Sequence, residues 1–161
     1  MANSSDERYF SGSFGIGIEG NPTLLRGFGR DIYVNQGSTV AYRNNGVDYQ
    51  TIAGASIVAC NAGKVVYVGS LDFAGNIVVV DHGWGLKTWY YNLGAVTASV
   101  GDTVAKGDKI GVAGQSGFAG AFGAHIAMSV GDSFVCPYDT WADSEKVGKV
   151  VIAKIDELDA K

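Results

Sequence analysis

Twenty-four glycines against two prolines in a chain of 161 residues constrain this fold more than any other feature. No Gly-X-Y period runs through them, so they do not build a fibre. They supply corners instead, places where the backbone turns through positive φ. Between the corners lie runs of about four to seven residues rich in Val, Ile, Thr and Tyr, the make-up of short strands bounded by tight turns. No stretch before position 138 keeps an apolar 3.6-residue period for three turns, so helices are not expected there. Apolar residues are 47% and charged residues 17% of the chain, the reverse of a disordered composition. The length suits one domain with a core. A net charge of −4 without any Lys/Arg cluster excludes a surface that tracks nucleic-acid phosphates. The apolar runs are too short for a transmembrane helix.

Three regions are expected: an N-terminal segment 1–30 that packs on the main body, a β-domain over 31–142, and a C-terminal tail 143–161. Strands are predicted at Asp31–Val34 and Ser38–Tyr42 around an Asn35-Gln36-Gly37 turn. Ser56–Cys60 and Lys64–Val68 read as a hairpin across Asn61-Ala62-Gly63. The β-branched run Asn76–Asp81 reads as a central strand, and Leu86–Tyr91 follows it after Gly83-Trp84-Gly85. Thr97–Val100, Thr103–Lys106, Lys109–Ala113 and His125–Val130 complete the set. The tail from Ser144 reads as a strand running into a short helix. The polar N-terminus lacks the apolar centre of a signal peptide, which fits either a cytoplasmic chain or one whose signal or anchor has been removed.

Residue types alone point to little chemistry. The chain has two histidines, His82 and His125, and two cysteines, Cys60 and Cys136, 76 positions apart. A His in an apolar strand is more often a satisfied core residue than a ligand. The cysteines read as buried free thiols, with a disulfide as the alternative. The Gly-rich stretch Gly114–Gly123 lacks the Lys-Ser/Thr of a phosphate loop, and no Gly-x-Ser-x-Gly elbow is present.

The order of the blocks says more. Gly46-Val47-Asp48-Tyr49, Gly63-Lys64-Val65-Val66-Tyr67-Val68-Gly69, Val79-Val80-Asp81-His82-Gly83 and Tyr90-Tyr91-Asn92-Leu93 come first. Val100-Gly101-Asp102-Thr103-Val104 running to Gly111, then Gly114-Gln115-Ser116-Gly117, Gly123-Ala124-His125-Ile126-Ala127 and Cys136-Pro137 follow. Over residues 27–140 this succession resembles the lysostaphin-like, LytM-type zinc endopeptidases of bacterial cell walls. The resemblance implies an all-β, antiparallel β-sandwich or barrel-sandwich hybrid, a duplicated hybrid motif, with an open groove.

The resemblance also implies where the chemistry has gone. Active members take zinc from a His-x-x-x-Asp pair and the second His of His-x-His. Those places here hold Asn44, Asp48 and Ala127. A further catalytic His of the family falls at Asn92, and the remaining catalytic His matches His125. Only Asp48 survives of three ligands, and a catalytic zinc site usually needs three protein ligands and a water. No catalytic residue, metal or cofactor is therefore expected, with Asp48 and His125 as relics; zinc is the cofactor if that reading fails. Groove residues are expected among Asn44, Asp48, Tyr49, Trp84, Trp89, Tyr90, Asn92, Phe122 and His125, with His82 in a structural turn. The implied role is an inactive binding or regulatory module in the cell envelope, periplasmic or otherwise extracytoplasmic. It would hold peptidoglycan or a partner such as a cell-wall hydrolase or a division or sporulation protein. The alternatives are an active endopeptidase using other ligands, such as His82 or a cysteine, and a phosphocarrier or lipoyl-like domain. For the last, Gly107-Asp108-Lys109-Ile110 is a poor attachment tip.

Overall fold

A computed structural model of the chain describes residues 4–33, 40–117, 119 and 121–137, without side-chain detail for 31–42. The expected Asn35-Gln36-Gly37 turn and the tail from 143 lie outside the described residues. The strands are β1 (Thr23–Arg26), β2 (Asp31–Tyr33), β3 (Val40–Arg43), β4 (Gly46–Gln50), β5 (Ser56–Val58) and β6 (Gly63–Leu71). They continue as β7 (Gly75–Gly83), β8 (Leu86–Val96), β9 (Thr103–Val104), β10 (Lys109–Ala113), β11 (Gly123–Val130) and β12 (Ser133–Val135). The architecture is all-β, with every pairing antiparallel, and the main sheet runs β1-β4-β11-β8-β7-β6-β9 as an open sheet.

The centre of the sheet follows from composition. In β7 the run Ile77–His82 is buried throughout, and its first four residues, Ile77–Val80, are the continuous apolar, β-branched segment that burial on both faces requires. β8 is the long element, and it changes partner partway. Up to Tyr91 it pairs with β11, whereas Leu93, Ala95 and Val96 pair with β10. The switch falls at Asn92, whose φ is +63°. Asn is one of the few residues with a side chain that enters this left-handed region readily. The bend is fixed by Asn92 N–H donating to Ala74 O at 2.9 Å and Asn92 Nδ2 donating to Ser116 O at 2.9 Å.

The expected hairpin of β5 with β6 is not formed. β5 pairs with β10, and β6 pairs with β7 and β9. The reason lies in Asn61, which is buried rather than exposed at a turn tip. Its amide accepts from Ser11 N and Ala62 N, and donates to Ser11 O and Ser13 O. The link between the two strands is thereby pinned beneath the N-terminal segment. Thr97–Val100 is likewise not a strand; it enters a turn in which Asp102 accepts from Ser99 N at 2.8 Å.

The N-terminal segment is part of the core. Phe10, Phe14 and Ile18 join the cluster that contains Val47, Ile57, Val78, Tyr90, Ile110 and Ile126. Each buried side chain of this size contributes about 1.5–3 kcal/mol. The segment is also tied by hydrogen bonds. Ser4 Oγ and Ser5 N donate to the Asp81 carboxylate, Trp84 N donates to Ser5 O, and Tyr9 N donates to His82 O.

A buried polar chain crosses this core. His82 Nδ1 lies 2.7 Å from Ala62 O, and Nε2 lies 2.8 Å from Thr88 Oγ1. The Thr88 and Tyr90 hydroxyls are 2.9 Å apart, and Cys60 N donates to the Tyr90 oxygen at 2.8 Å. Burial holds every member neutral. It pushes His82 down to about 4 and the Cys60 thiol up to about 12, and it raises Tyr90 well above its ordinary value. His82, expected in a structural turn, instead lies within β7, wholly buried, because the strand continues to Gly83 and the turn begins at Trp84.

Candidate functional site

Three adjacent strands set the site. β4 pairs with β11 so that Asp48 faces His125, and β1 pairs with β4 so that Arg26 faces Asp48. Cross-strand neighbours on one face of a sheet interact directly, and here they form a row of guanidinium, carboxylate and imidazole. The β1–β4 register shifts between Leu24 and Arg26. A bulge of this kind re-aims the side chain beyond it.

The carboxylate of Asp48 is fully engaged. Oδ1 lies 2.8 Å from His125 Nδ1, while Oδ2 accepts from Asn44 Nδ2 at 3.1 Å and lies 3.2 Å from Arg26 Nε. Asn44 Nδ2 also donates to Gly27 O at 3.1 Å. Both its partners are acceptors, so the amide nitrogen, not the oxygen, must face Asp48. His125 uses its other nitrogen as well, with Nε2 2.9 Å from Asn45 Oδ1.

Above this row opens a cavity of about 370 Å³. Leu25, Tyr49, Phe73, Tyr91, Ala121 and Ala124 contribute to its walls, and Arg26, Asn44, Asp48 and His125 lie along its polar side. The volume is at the small end of the range for ligand pockets. Tyr91 packs its ring 5.3 Å from that of His125, and burial raises its hydroxyl above the usual phenol range.

The candidates from sequence divide. Asn44, Asp48, Tyr49, Asn92 and His125 all border the cavity. Tyr90, expected on a groove wall, is instead a core residue with no exposure. Strand alternation sends its side chain to the face opposite Tyr91. Trp84 sits at the β7–β8 turn with φ of +56°, edge-on to Phe10 at 6.1 Å, away from the cavity lining. Trp89 stacks on Tyr91 and donates Nε1 to Ser129 Oγ. Phe122 is 47% exposed beside the cavity, while its neighbours Ala121 and Gly123 line it. Ala127 is fully buried and lies off the cavity. It faces Gly46 across the ladder, and a Cβ placed on Gly46 would come within 2.8 Å of the Ala127 methyl. Sequence reasoning missed Arg26, Asn45 and Tyr91.

The comparisons with known proteins agree with this architecture. The sequence pattern of peptidase family M23 matches residues 42–137, and the chain belongs to that family. The peptidoglycan DD-endopeptidase ShyB of Vibrio cholerae is 36% identical over 74 residues, which are 46% of this chain and 17% of ShyB. The crystal structure of a zinc containing peptidase from Vibrio cholerae superposes with a TM-score of 0.68 at 27% identity. The match covers 81% of this chain and 40% of that one. The chain therefore spans less than half the length of either. A chain of the SpoIIQ–SpoIIIAH pore forming complex reaches a TM-score of 0.72 over 85% of this chain and 96% of that one, at 19% identity, a likeness of fold alone.

Family M23 is normally zinc-dependent, and this donor set does not fit zinc. Asn44 presents N–H donors where a ligand must present a lone pair, and Ala127 presents a methyl. Both nitrogens of His125 are occupied, and the one carboxylate already neutralises a guanidinium. Among the described residues no group of three or more His, Cys, Asp or Glu converges to hold a metal ion. His82 and Cys60 supply no substitute from the cavity, because both are buried in the core. Cys60 and Cys136 are free thiols.

Proposed function

We propose that this chain is a catalytically silent M23 domain that serves as a binding module in the bacterial cell envelope, with the cavity beside Asp48 as its binding site. In this reading residues 31–142 form the body of the binding domain, 1–30 a segment that packs on it and supplies Leu25 and Arg26 to the cavity, and 143–161 a tail. One observation carries the reading: the retained ligand Asp48 is held by Arg26, Asn44 and His125, so its oxygens are committed to donors rather than to a metal. Without a metal, no water is acidified from ~15.7 to ~7 and no carbonyl is polarised, the two effects on which hydrolysis by this family's chemistry depends. The cavity and its mixed apolar and polar lining remain, which is what recognition of a short peptide needs.

Peptidoglycan is the favoured ligand, because ShyB, a relative at 36% identity, is a peptidoglycan DD-endopeptidase by name. That relationship also supports an extracytoplasmic location. The test is paired. Purified protein is incubated with isolated sacculi, then assayed for released peptide and for co-sedimentation. Retention without chelator-sensitive release is expected. Chelator-sensitive cleavage overturns the reading, and absence of both cleavage and retention moves the role to a protein partner.

A further inference from the structure

The cavity is lined by two guanidinium groups, Arg26 and Arg43, against the one carboxylate of Asp48. Both oxygens of Asp48 are already bonded, and the Asn44 amide protons are both used. Arg26 differs. Its side chain is 39% exposed, it borders the cavity, and its partner is Asp48, reached through Nε. Among the described residues no acceptor engages Nη1 or Nη2. A guanidinium carries five N–H donors in a rigid planar fork, and the four on the Nη atoms match the two oxygens of a carboxylate.

We infer that the cavity holds a peptide carboxylate, with the Nη atoms of Arg26 as a bidentate clamp and the apolar wall of Leu25, Phe73 and Tyr91 against the adjoining small side chains. This rests on the binding-module reading and names the chemistry that the module holds. Replacing a dication by a guanidinium changes what the pocket selects. A metal activates the carbonyl of a peptide bond, whereas a guanidinium fork gains most from a full negative charge. A charge-assisted hydrogen bond is about twice as strong as one to a neutral carbonyl. The chain as a whole carries −4, so bulk attraction does not draw an anion; the recognition is local. Asp48 contributes as the ion-pair partner, its Oδ2 3.2 Å from Nε keeping the guanidinium beside the cavity. The cavity of about 370 Å³ admits only a short segment, consistent with the end of a peptide or a single acidic side chain.

Both sources share the carboxylate, and three probes separate them: acetyl-Ala-Ala with a free C-terminus, its C-terminal amide, and acetyl-Ala-Glu-amide. Binding is read by two-dimensional NMR titration of the whole chain, with Arg26→Gln and Arg26→Lys alongside. One or both carboxylate probes should bind roughly tenfold or more tighter than the neutral amide. Whichever carboxylate binds more tightly identifies the source. Arg26→Gln should abolish the preference, and Arg26→Lys, which keeps the charge without the fork, should keep only part of it. Equal binding of all three probes, no shift at millimolar concentration, or an unchanged preference in Arg26→Gln overturns the inference. Sacculus retention distinguishes the two levels. Wild-type retention that Arg26→Gln leaves unchanged removes the clamp but keeps the module, whereas no retention of either protein removes the peptidoglycan reading itself.

Discussion

Acidifying the solution from pH 7 to pH 5 should destabilise this domain by about 2 kcal/mol through His82 alone. The imidazole has no exposure and is held between Ala62 O and Thr88 Oγ1. Burial lowers its pKa from 6.5 to about 4, against partial opposition from the Ala62 carbonyl and the Asp81 charge. In the unfolded chain the ring titrates near its ordinary value. The folded state therefore binds fewer protons than the unfolded state at any pH between those two values. The stability is fully present above the unfolded pKa, is lost as the pH falls below it, and levels off beneath the folded value. A gap between folded and unfolded pKa is worth about 1.4 kcal/mol for each pH unit it spans, so the whole loss is about 3 kcal/mol. Roughly three-fifths of it is realised by pH 5. For a chain of this length that corresponds to a fall in Tm of about 4–8 °C. Thermal unfolding by circular dichroism at pH 7, 6 and 5, in wild type and His82→Gln, isolates the effect. Carboxylates titrate mostly below this window, and His125 is common to both proteins. Parallel pH dependence in the two, within about 0.5 kcal/mol, would refute the linkage.

Other outcomes are equally specific. Protein dialysed against zinc should retain well under one equivalent by elemental analysis, and chelator should leave its Tm unmoved, because a ligand stabilises only the state that binds it. Installing Asn44→His, Asn92→His and Ala127→His together should cost about 1–3 kcal/mol by denaturant unfolding, because Ala127 is sealed against Gly46 and overpacking is costly. The same triple variant should bind zinc more tightly once Arg26→Ala is added, since the guanidinium competes for Asp48; equal zinc affinity with and without Arg26 would contradict that competition. Phe14→Ala should cost about 3–5 kcal/mol in urea unfolding, given a ring that is 1% exposed in the core.

What could be read from the sequence depended on whether the signal was local. The β7 segment was legible because four consecutive β-branched apolar residues, Ile77–Val80, suit a strand buried on both faces, and Lys109–Ala113 coincides with β10. Asn61-Ala62-Gly63 misled because it has turn composition, while the buried Asn61 amide serves the N-terminal segment instead. The short strands β1, β4 and β12 carry too few residues for a periodic signal. At the site, Asp48 and His125 were reached through the family resemblance. Arg26 was not, because its placement beside Asp48 depends on a register shift between distant segments. Adjacent Tyr90 and Tyr91 are chemically identical, and only the pleat decides which meets the core and which meets the cavity.

The clamp of Ser4 and Ser5 on the β7–β8 turn has a mechanical consequence. A load applied at the N-terminus is borne first by the bonds to Asp81, Trp84 and Gly85, so tension enters at the hairpin end of β8. Tyr91, at the cavity, is five residues further along that strand than Leu86, a distance of about 16 Å at the usual strand rise. Tethering the chain to a bead or a surface by its first residues would accordingly strain the hairpin and leave the mouth of the cavity unloaded.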